Sequence, residues 1–354
     1  MKVRSLTMKS FKRFINTPLS FADKETGLSK DLIVLVGQNG TGKSTVLQAI
    51  AATLGTAVRR LDKPSELKWP GFDLALASSS TVFPPEVELE VEFPQEEIDA
   101  TTEYFKMISP RFLSDASPPS ENAVVKLTLC GDEVRAPSKT EYFQFRGRTY
   151  AKQIVKIAEQ GYDVFKRVGT VFWYTEHRTA TTFTSERDDT KGIEYNEDLL
   201  RRTLINLMQF HERVELGRYD LRPGQRDIFA LLEKAYKSVF TGRSFRGYVP
   251  RGEIDDVLKE PWFYLYDGTH EYEIAEMSGG ERAVFPMFFD FANWNIHNSV
   301  ILIDEIELHL HPPMQQALMR SLQDLGENNQ FIVTTHSDWV VDAVPPETIV
   351  RLEA

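Results

Sequence analysis

The sequence predicts an α/β fold with a mixed central sheet flanked by helices, an antiparallel sheet beside it and a mainly helical insertion. Three observations predict this fold class. An apolar strand, a glycine-rich loop and a helix follow one another over residues 32–54. Two further apolar strands, over 300–303 and 331–335, each end in polar residues. Between Ser44 and Ser278 lie 233 residues, which leaves room for the insertion.

The glycine-rich loop matches a phosphate-binding motif. Residues 32–36, Leu-Ile-Val-Leu-Val, are typical of a buried parallel strand. The motif G-x-x-x-x-G-K-[ST] follows in full and covers Gly37, Gln38, Asn39, Gly40, Thr41, Gly42, Lys43, Ser44 and Thr45. Glycines let backbone N–H groups surround phosphate oxygens, and the helix start adds partial positive charge. The motif predicts ATP binding, with Lys43 on the β- and γ-phosphates and Ser44 as a Mg²⁺ ligand.

The strand over 300–303 ends in two carboxylates, Asp304 and Glu305. Asp304 at the strand tip suits contact with Mg²⁺ or its water, and Glu305 is placed to polarise an attacking water. Asp-Glu is common wherever a strand leaves a sheet, so the pair gains meaning only beside the phosphate loop. Together the two motifs predict that bound ATP is hydrolysed, with Lys43 assisting catalysis.

A third motif, Ser278-Gly279-Gly280-Glu281, lies 26 residues before Asp304 and opens an apolar helix. It resembles the signature motif of ABC-type ATPases, whose serine and glycines contact the γ-phosphate held by the other subunit. The resemblance implies a P-loop ABC-type ATPase head that forms a homodimer or higher homo-oligomer through its ATP sites. Pro286, inside the same helix, departs from this pattern and predicts a kink.

Residues 304–312 read Asp-Glu-Ile-Glu-Leu-His-Leu-His-Pro and resemble the Walker B motif and D-loop of the RecF, SMC and overcoming-lysogenization-defect (OLD) ATPases. A metal pair of His309 and His311 is the alternative, but no further ligand cluster is near in sequence. His336, 31 residues after Glu305, resembles the switch histidine of the same group. This resemblance implies that His336 hydrogen-bonds the γ-phosphate and senses its loss.

Four other side chains are weaker candidates. Lys12 and Arg13 belong to residues 6–14, which resemble the first strand of RecF- and SMC-type heads, and they either approach the nucleotide or are solvated edge-strand charges. Arg178 resembles a strand-end arginine of OLD-like ATPases, with nucleotide contact, the subunit interface and structural pairing all open. Gln95 is a weak candidate for the glutamine loop, which the sequence does not assign.

The motifs divide the chain into three predicted parts. These are an N-terminal ATPase lobe over 1–135, a partly helical and basic insertion or lid over 136–265, and a C-terminal ATPase lobe over 266–354. Helices are predicted over 196–240 from the spacing of leucines. Strands of the antiparallel sheet are predicted over 86–93, 123–129, 142–145 and 168–174.

Charge is unevenly distributed along the chain. The net charge of −11 argues against a protein whose whole surface coats nucleic acid. Residues 135–259 nevertheless hold 23 Lys+Arg and 18 Asp+Glu, whereas the remainder holds 18 and 34. The predicted helices carry a cluster of arginines that either grips nucleic-acid phosphates or forms a solvated helix face, namely Arg201, Arg202, Arg213, Arg218, Arg222 and Arg226.

Composition excludes several classes of protein. No apolar run approaches the roughly 18 residues that a membrane-spanning helix needs, so no membrane association is expected. The single cysteine, Cys130, cannot form an internal disulfide, which fits a cytoplasmic location. No heptad pattern persists and no C-x-x-C hook occurs, which disfavours a long-armed SMC-type protein.

The favoured functional hypothesis is an ATP-dependent dimeric switch that resembles the ATPase subunits of bacterial anti-phage systems. The resemblance implies that it senses or holds nucleic acid or a phage component and controls a separate effector, a nuclease or toxin. OLD nucleases carry a catalytic domain beyond the ATPase, whereas 18 residues follow His336 here. One alternative is a RecF-like repair or replication ATPase. Another is the ATPase subunit of a transporter, which the long insertion disfavours.

Overall fold

The computed structural model describes residues 1–78, 84–112, 117–158, 161–176, 197–222, 224–251 and 261–353. They form two compact units. Unit 1 comprises Met1–Glu176, Ile296–Ile306 and Gly326–Ala354, and unit 2 comprises His177–Asn295 and Glu307–Leu325. Residues 136–176, assigned above to the insertion, belong to unit 1. Arg178 lies outside the described residues.

Unit 1 contains two five-stranded sheets and most of their connections. Its strands are β1 (Lys2–Phe11), β2 (Phe14–Ser20), β3 (Leu32–Val36), β4 (Glu86–Glu92), β5 (Val124–Cys130), β6 (Glu133–Arg135), β7 (Val171–Tyr174), β11 (Val300–Ile303), β12 (Gln330–Thr335) and β13 (Ile349–Arg351). Its helices are α1 (Lys43–Ala57), α2 (Gln95–Phe112), α3 (Lys139–Gln144), α4 (Gly147–Ala158) and α9 (Asp338–Val341).

The central sheet has the strand order β13-β3-β12-β11-β7, and its pairings are parallel. The second sheet has the order β2-β1-β4-β5-β6, and its pairings are antiparallel. The predicted α/β class and the separate antiparallel sheet are therefore confirmed, but the central sheet is parallel and not mixed as predicted. In the central sheet the carboxyl ends of β3, β11 and β12 meet at one edge, which places the loops that follow these strands together.

Helix α1 lies in the shared core of the two sheets. Small and apolar residues surround its axis, so nearly all its side chains are buried, including Val46, Ala49 and Leu54. The alternating sequence of β4 buries Val87, Leu89 and Val91 on one face and leaves glutamates on the other. This core fixes the start of α1, and with it the phosphate loop, against the central sheet.

Two of the predicted strands are placed differently in the structure. Residues 142–145 were expected to be a strand, but α3 covers residues 139–144 because Ser138 caps its start by accepting a hydrogen bond from the N–H of Glu141. The predicted strand over 168–174 forms β7, yet β7 pairs in parallel with β11 rather than joining the antiparallel sheet. The strands predicted over 86–93 and 123–129 form β4 and β5 of that sheet as expected.

Unit 2 combines helices with a three-stranded antiparallel sheet of order β10-β9-β8. Its elements are α5 (Glu197–Glu215), α6 (Ile228–Val239), β8 (Ser244–Val249), β9 (Trp262–Tyr266), β10 (Glu271–Glu273), α7 (Gly279–Trp294) and α8 (Pro312–Ser321). The helices expected over 196–240 are thus present as α5 and α6, and α7 continues through Pro286 as one helix. Aromatic side chains from α6, the sheet and α7 pack together, namely Phe229, Tyr236, Phe245, Phe263 and Phe285.

No helix within the described ranges is both long and apolar enough to cross a membrane.

Candidate active site

The phosphate loop connects β3 to α1 and is built for close backbone approach. A Cβ added at Gly37 would lie 2.6 Å from the Leu352 carbonyl oxygen and 2.6 Å from Thr41 Oγ1. Gly40 and Gly42 have φ of +79° and +95°, which L side chains adopt only with strain. Gln38, Asn39 and Gly40 are exposed, so this part of the loop faces solvent. The glycines therefore allow a tight backbone turn that is open to solvent at residues 38–40.

Lys43 begins α1 and is 6% exposed. Its Nζ donates hydrogen bonds to the carbonyl oxygens of Gly37 at 2.9 Å and Gln38 at 3.2 Å. The Lys43 side chain therefore crosses the phosphate loop, and its ammonium group contacts the backbone of that loop. A phosphate bound in the loop can exchange with these carbonyl groups as the partner of Lys43.

Asp304 is 1% exposed and lies at the centre of the site. Its Oδ1 accepts hydrogen bonds from Ser44 Oγ at 3.0 Å and from Thr334 Oγ1 at 2.6 Å. Ser44 is the second residue of α1 and Asp304 follows β11, so the fold brings together two residues that are 260 positions apart. A serine hydroxyl and a buried carboxylate are oxygen donors of the type that Mg²⁺ prefers, and this donor set fits that ion.

Glu305 adopts a backbone conformation that is unusual for a residue other than glycine, with φ of +47°. Its N–H donates to Thr334 Oγ1 at 2.8 Å, and the N–H of Ile306 donates to the Thr334 carbonyl oxygen at 3.1 Å. These bonds hold the turn after β11 in place, and Glu305 is partly exposed there. Strained backbone that neighbouring contacts stabilise is common at functional sites.

Thr334 is a site residue that the sequence analysis missed. The sequence predicts Thr334 only as part of a strand, but its hydroxyl bridges Asp304 and the backbone of Glu305. The bridge exists because β12 lies between β3 and β11, an order that the sequence does not specify. A threonine at the end of a strand that precedes the predicted switch histidine was the available signal.

Unit 1 also contains the predicted nucleotide-site candidates His336, Lys12, Arg13 and Gln95. His336 directly follows β12 and is exposed at the edge where the phosphate loop lies. Lys12 Nζ donates to Gln48 Oε1 at 2.6 Å and to the Gly71 carbonyl oxygen at 2.8 Å. Arg13 lies beside the loop, because its Cδ is 3.0 Å from the position that a Cβ on Gly42 would take. Gln95 donates to Asp99 at the start of α2.

The signature motif belongs to unit 2. Ser278 caps α7, where its Oγ accepts from the N–H of Glu281 at 3.3 Å and donates to Glu281 Oε2 at 2.7 Å. Ser278 and Gly279 are exposed. Gly280 has no room for a side chain, because an added Cβ would lie 2.8 Å from the His309 carbonyl oxygen. The turn over 307–311 therefore packs directly against the start of α7.

His309 and His311 do not belong to a metal-binding cluster of three or more ligand side chains, and no such cluster occurs among the described residues.

Arg201 belongs to the arginine cluster that was predicted either to grip phosphates or to form a solvated helix face, and the structure gives it a different environment. It is 3% exposed and pairs with Glu273 and Asp198. Because its guanidinium is buried in ion pairs, Arg201 neither grips phosphate nor lies on a solvated helix face, so both alternatives are wrong for this residue.

These features define the class of the protein. A phosphate loop after one parallel strand, paired carboxylates after another and a signature-type helix start are those of a P-loop ATPase with an ABC-type head. The chain belongs to the family described as "AAA domain, putative AbiEii toxin, Type IV TA system", whose model matches residues 32–342. A second model, described as an AAA domain, matches residues 1–60.

Two curated relatives extend over nearly the whole chain. The "Retron Vc95 probable ATPase" of Vibrio cholerae serotype O1 biovar El Tor is 21% identical over 99% of this chain and 73% of its own length. The "Retron Ec83 probable ATPase" of Escherichia coli is 25% identical over 99% of this chain and 71% of its own length. With the family match, they show that the chain is a nucleotide-binding ATPase that resembles ATPases of retrons.

A solved structure with the same fold is the SMC head bound to the C-terminal winged-helix domain of ScpA. It matches with a TM-score of 0.53 and 17% identity over 99% of this chain and 94% of that one. At this identity the likeness concerns the fold alone.

Proposed function

We propose that the chain binds ATP with Mg²⁺ in unit 1 and acts as an ATP-dependent dimeric switch. The observation that carries this proposal is the contact between Ser44 and Asp304, which joins the phosphate loop to the carboxylate strand. The loop over Gly37–Thr45 would bind the phosphates through its backbone N–H groups and Lys43. Ser44 and Asp304 would hold Mg²⁺, which neutralises charge that develops on the phosphates during hydrolysis.

Within this proposal Glu305 acts as the general base. Its carboxylate takes a proton from the attacking water, and the turn that Thr334 stabilises fixes where that carboxylate stands. His336, at the same edge of the sheet, donates a hydrogen bond to the γ-phosphate and loses this partner after hydrolysis. The site thus distinguishes ATP from ADP through groups at the ends of three neighbouring strands.

The dimeric part of the proposal rests on unit 2. Ser278 and Gly279 are exposed at a helix start, which is a favourable place for an anion. We infer that these residues and Gly280 contact the γ-phosphate bound by a second copy of the chain. ATP would then join two chains, and hydrolysis would release them.

Replacement of Ser278 by Arg tests the composite site. We expect ATP binding to persist, since the phosphate loop is unchanged, but turnover to fall about 100-fold or more, as when one transition-state donor is lost. Light scattering should show no ATP-dependent association of the Ser278→Arg variant. Ser138→Arg is a matched control because Ser138 is also an exposed serine that caps a helix. A Ser278→Arg variant that still associates and hydrolyses normally contradicts the composite site.

The names of the retron ATPases motivate the wider role. We infer that the chain works in anti-phage defence, holds nucleic acid or a phage component, and controls a separate nuclease or toxin. Products of adjacent genes should then co-purify with the chain, and the amount recovered should change when ATP replaces ADP. If every adjacent product elutes separately in both nucleotide states, the effector role is refuted while the ATPase is not.

A further inference from the structure

Glu281 is the centre of a buried hydrogen-bond cluster next to Ser278, and it is 1% exposed. Its Oε1 accepts from the hydroxyls of Tyr236 and Tyr272 and from Arg243 Nη1, the last at 2.7 Å. Its Oε2 accepts from Ser278 N at 2.8 Å and Ser278 Oγ at 2.7 Å. We call these five residues the Glu281 hub.

The hub connects distant parts of unit 2 to the signature motif. Tyr236 lies on α6, Arg243 lies in the turn before β8 and Tyr272 lies on β10. All three donate to one carboxylate oxygen, and the other oxygen receives two donors from Ser278 alone. The position of Ser278 therefore depends on how the rest of unit 2 holds the Glu281 side chain.

The protonation states of the hub are well defined. Burial alone would raise the pKa of Glu281, but the hydrogen bonds from Tyr236, Tyr272, Arg243 and Ser278 outweigh it and hold that pKa below its ordinary value. Burial and the neighbouring Glu281 raise the pKa of Tyr272 to about 12. At neutral pH the hub is thus a carboxylate that neutral phenols and one guanidinium surround.

The hub also determines what the Ser278 hydroxyl can do. Its proton points to Glu281, while its oxygen accepts from the N–H of the same residue. To donate to a phosphate, the hydroxyl must turn its proton away from Glu281. The Ser278 N–H keeps its bond to Oε2 during that rotation, so the backbone of the motif stays in place.

We propose that Tyr236, Tyr272 and Arg243 are positioning residues that act through Glu281 on the signature serine. The inference rests on the proposed contact of Ser278 with a phosphate of a second chain. A shift of α6 or β10 that shortens or lengthens the hydrogen bonds to Glu281 changes how readily Ser278 contacts the phosphate of the second chain.

A double-mutant cycle with Tyr272→Phe and Ser278→Ala tests the proposal. Loss of one hydrogen bond to a buried carboxylate corresponds to about ten- to 100-fold, so we expect Tyr272→Phe to lower kcat by about tenfold and leave KM for ATP within about twofold. In the Ser278→Ala background the same substitution should change kcat by less than about twofold. A merely structural role would instead lower kcat equally in both backgrounds, and that result would overturn the proposal, as would an unchanged kcat for Tyr272→Phe.

Tyr266→Phe is the matched control, because it removes a hydroxyl that donates to the Gly268 carbonyl oxygen at 2.7 Å outside the hub. Circular dichroism and melting temperature establish that each variant is folded, and Arg243→Lys replaces Tyr272→Phe in the cycle if the latter is not. If Ser278→Ala itself leaves kcat unchanged, the composite site is wrong. If Ser278→Ala slows turnover but shows no coupling to Tyr272, only the hub proposal is wrong.

Discussion

Replacing Glu305 by Gln should lower ATP turnover by about 10²- to 10⁴-fold, the usual contribution of a general base, while ATP still binds. Glutamine has the size of glutamate but cannot take a proton from water. The backbone bond from residue 305 to Thr334 Oγ1 does not involve the side chain, so the turn after β11 should keep its shape. Single-turnover hydrolysis and equilibrium binding of a fluorescent ATP analogue measure the two effects separately.

The Glu305→Gln variant should accumulate as the ATP-bound dimer, since hydrolysis no longer causes the two chains to dissociate. Glu327→Gln is a suitable control, because Glu327 is an exposed carboxylate of unit 1 that precedes β12 and so lies at the opposite end of that strand. Its turnover should match that of the parent chain. If Glu305→Gln hydrolyses ATP at the parental rate, Glu305 is not the base and another group must activate the water.

Replacing Arg201 by Ala should destabilise unit 2 by about 3–5 kcal/mol, which is typical when one partner of a buried ion pair is removed. Arg201 Nε and Nη2 donate to the two oxygens of Glu273 at 2.7 and 3.1 Å, and Nη1 donates to Asp198 at 2.6 Å. The guanidinium also lies 5.3 Å from the centre of the Trp262 ring. The substitution leaves the carboxylate of Glu273 without its cation.

Urea unfolding followed by tryptophan fluorescence measures the loss. Arg202→Ala is the natural control, because Arg202 is the adjacent arginine on α5 but is exposed, so its loss should cost under about 1 kcal/mol. Equal stability losses in the two variants would show that the Arg201–Glu273 pair does not stabilise unit 2.

The pair also predicts a pH dependence. Burial raises the pKa of Glu273, but hydrogen bonds from Arg201 and from the N–H groups of Ala275 and Phe263 outweigh it and leave that pKa below its ordinary value of 4.5. A carboxyl group with a lowered folded-state pKa stabilises the fold above 4.5, and this stabilisation is lost as the pH falls through the folded-state pKa. The parent chain should therefore lose stability in this acidic range, and Arg201→Ala should lose less.

The sequence predicts those parts of the site whose residues lie close together in the chain. The phosphate loop and the pair Asp304 and Glu305 each lie within a few residues of sequence, so their motifs predict them, and the signature motif is predicted by its resemblance to that of ABC-type ATPases. The fold then places the loop and the carboxylates at one edge of a parallel sheet, as the ends of apolar strands suggested. The roles of these residues stay predictions until the variants above are measured.

What the sequence could not predict depends on contacts between distant segments. Thr334 gained its role from the position of β12 between two other strands. Arg201 resembled a phosphate ligand because Glu273, 72 residues further on, is not visible as its partner in the sequence. The short aromatic-rich segment at 142–145 has no period that separates a strand from one turn of helix, and the Ser138 cap favours α3.

The bridge that Thr334 forms has a consequence for the timing of the ATPase cycle. Thr334 forms hydrogen bonds with the carboxylate of Asp304 and with the backbone N–H of Glu305. His336 lies two residues after Thr334 in the same chain segment. If His336 responds to departure of the γ-phosphate as proposed, a shift of this segment moves Asp304, the proposed metal ligand, and Glu305, the proposed base, at the same moment. Release of phosphate and disassembly of the catalytic geometry would then be a single event, and phosphate could rebind productively only if the whole geometry formed again around it.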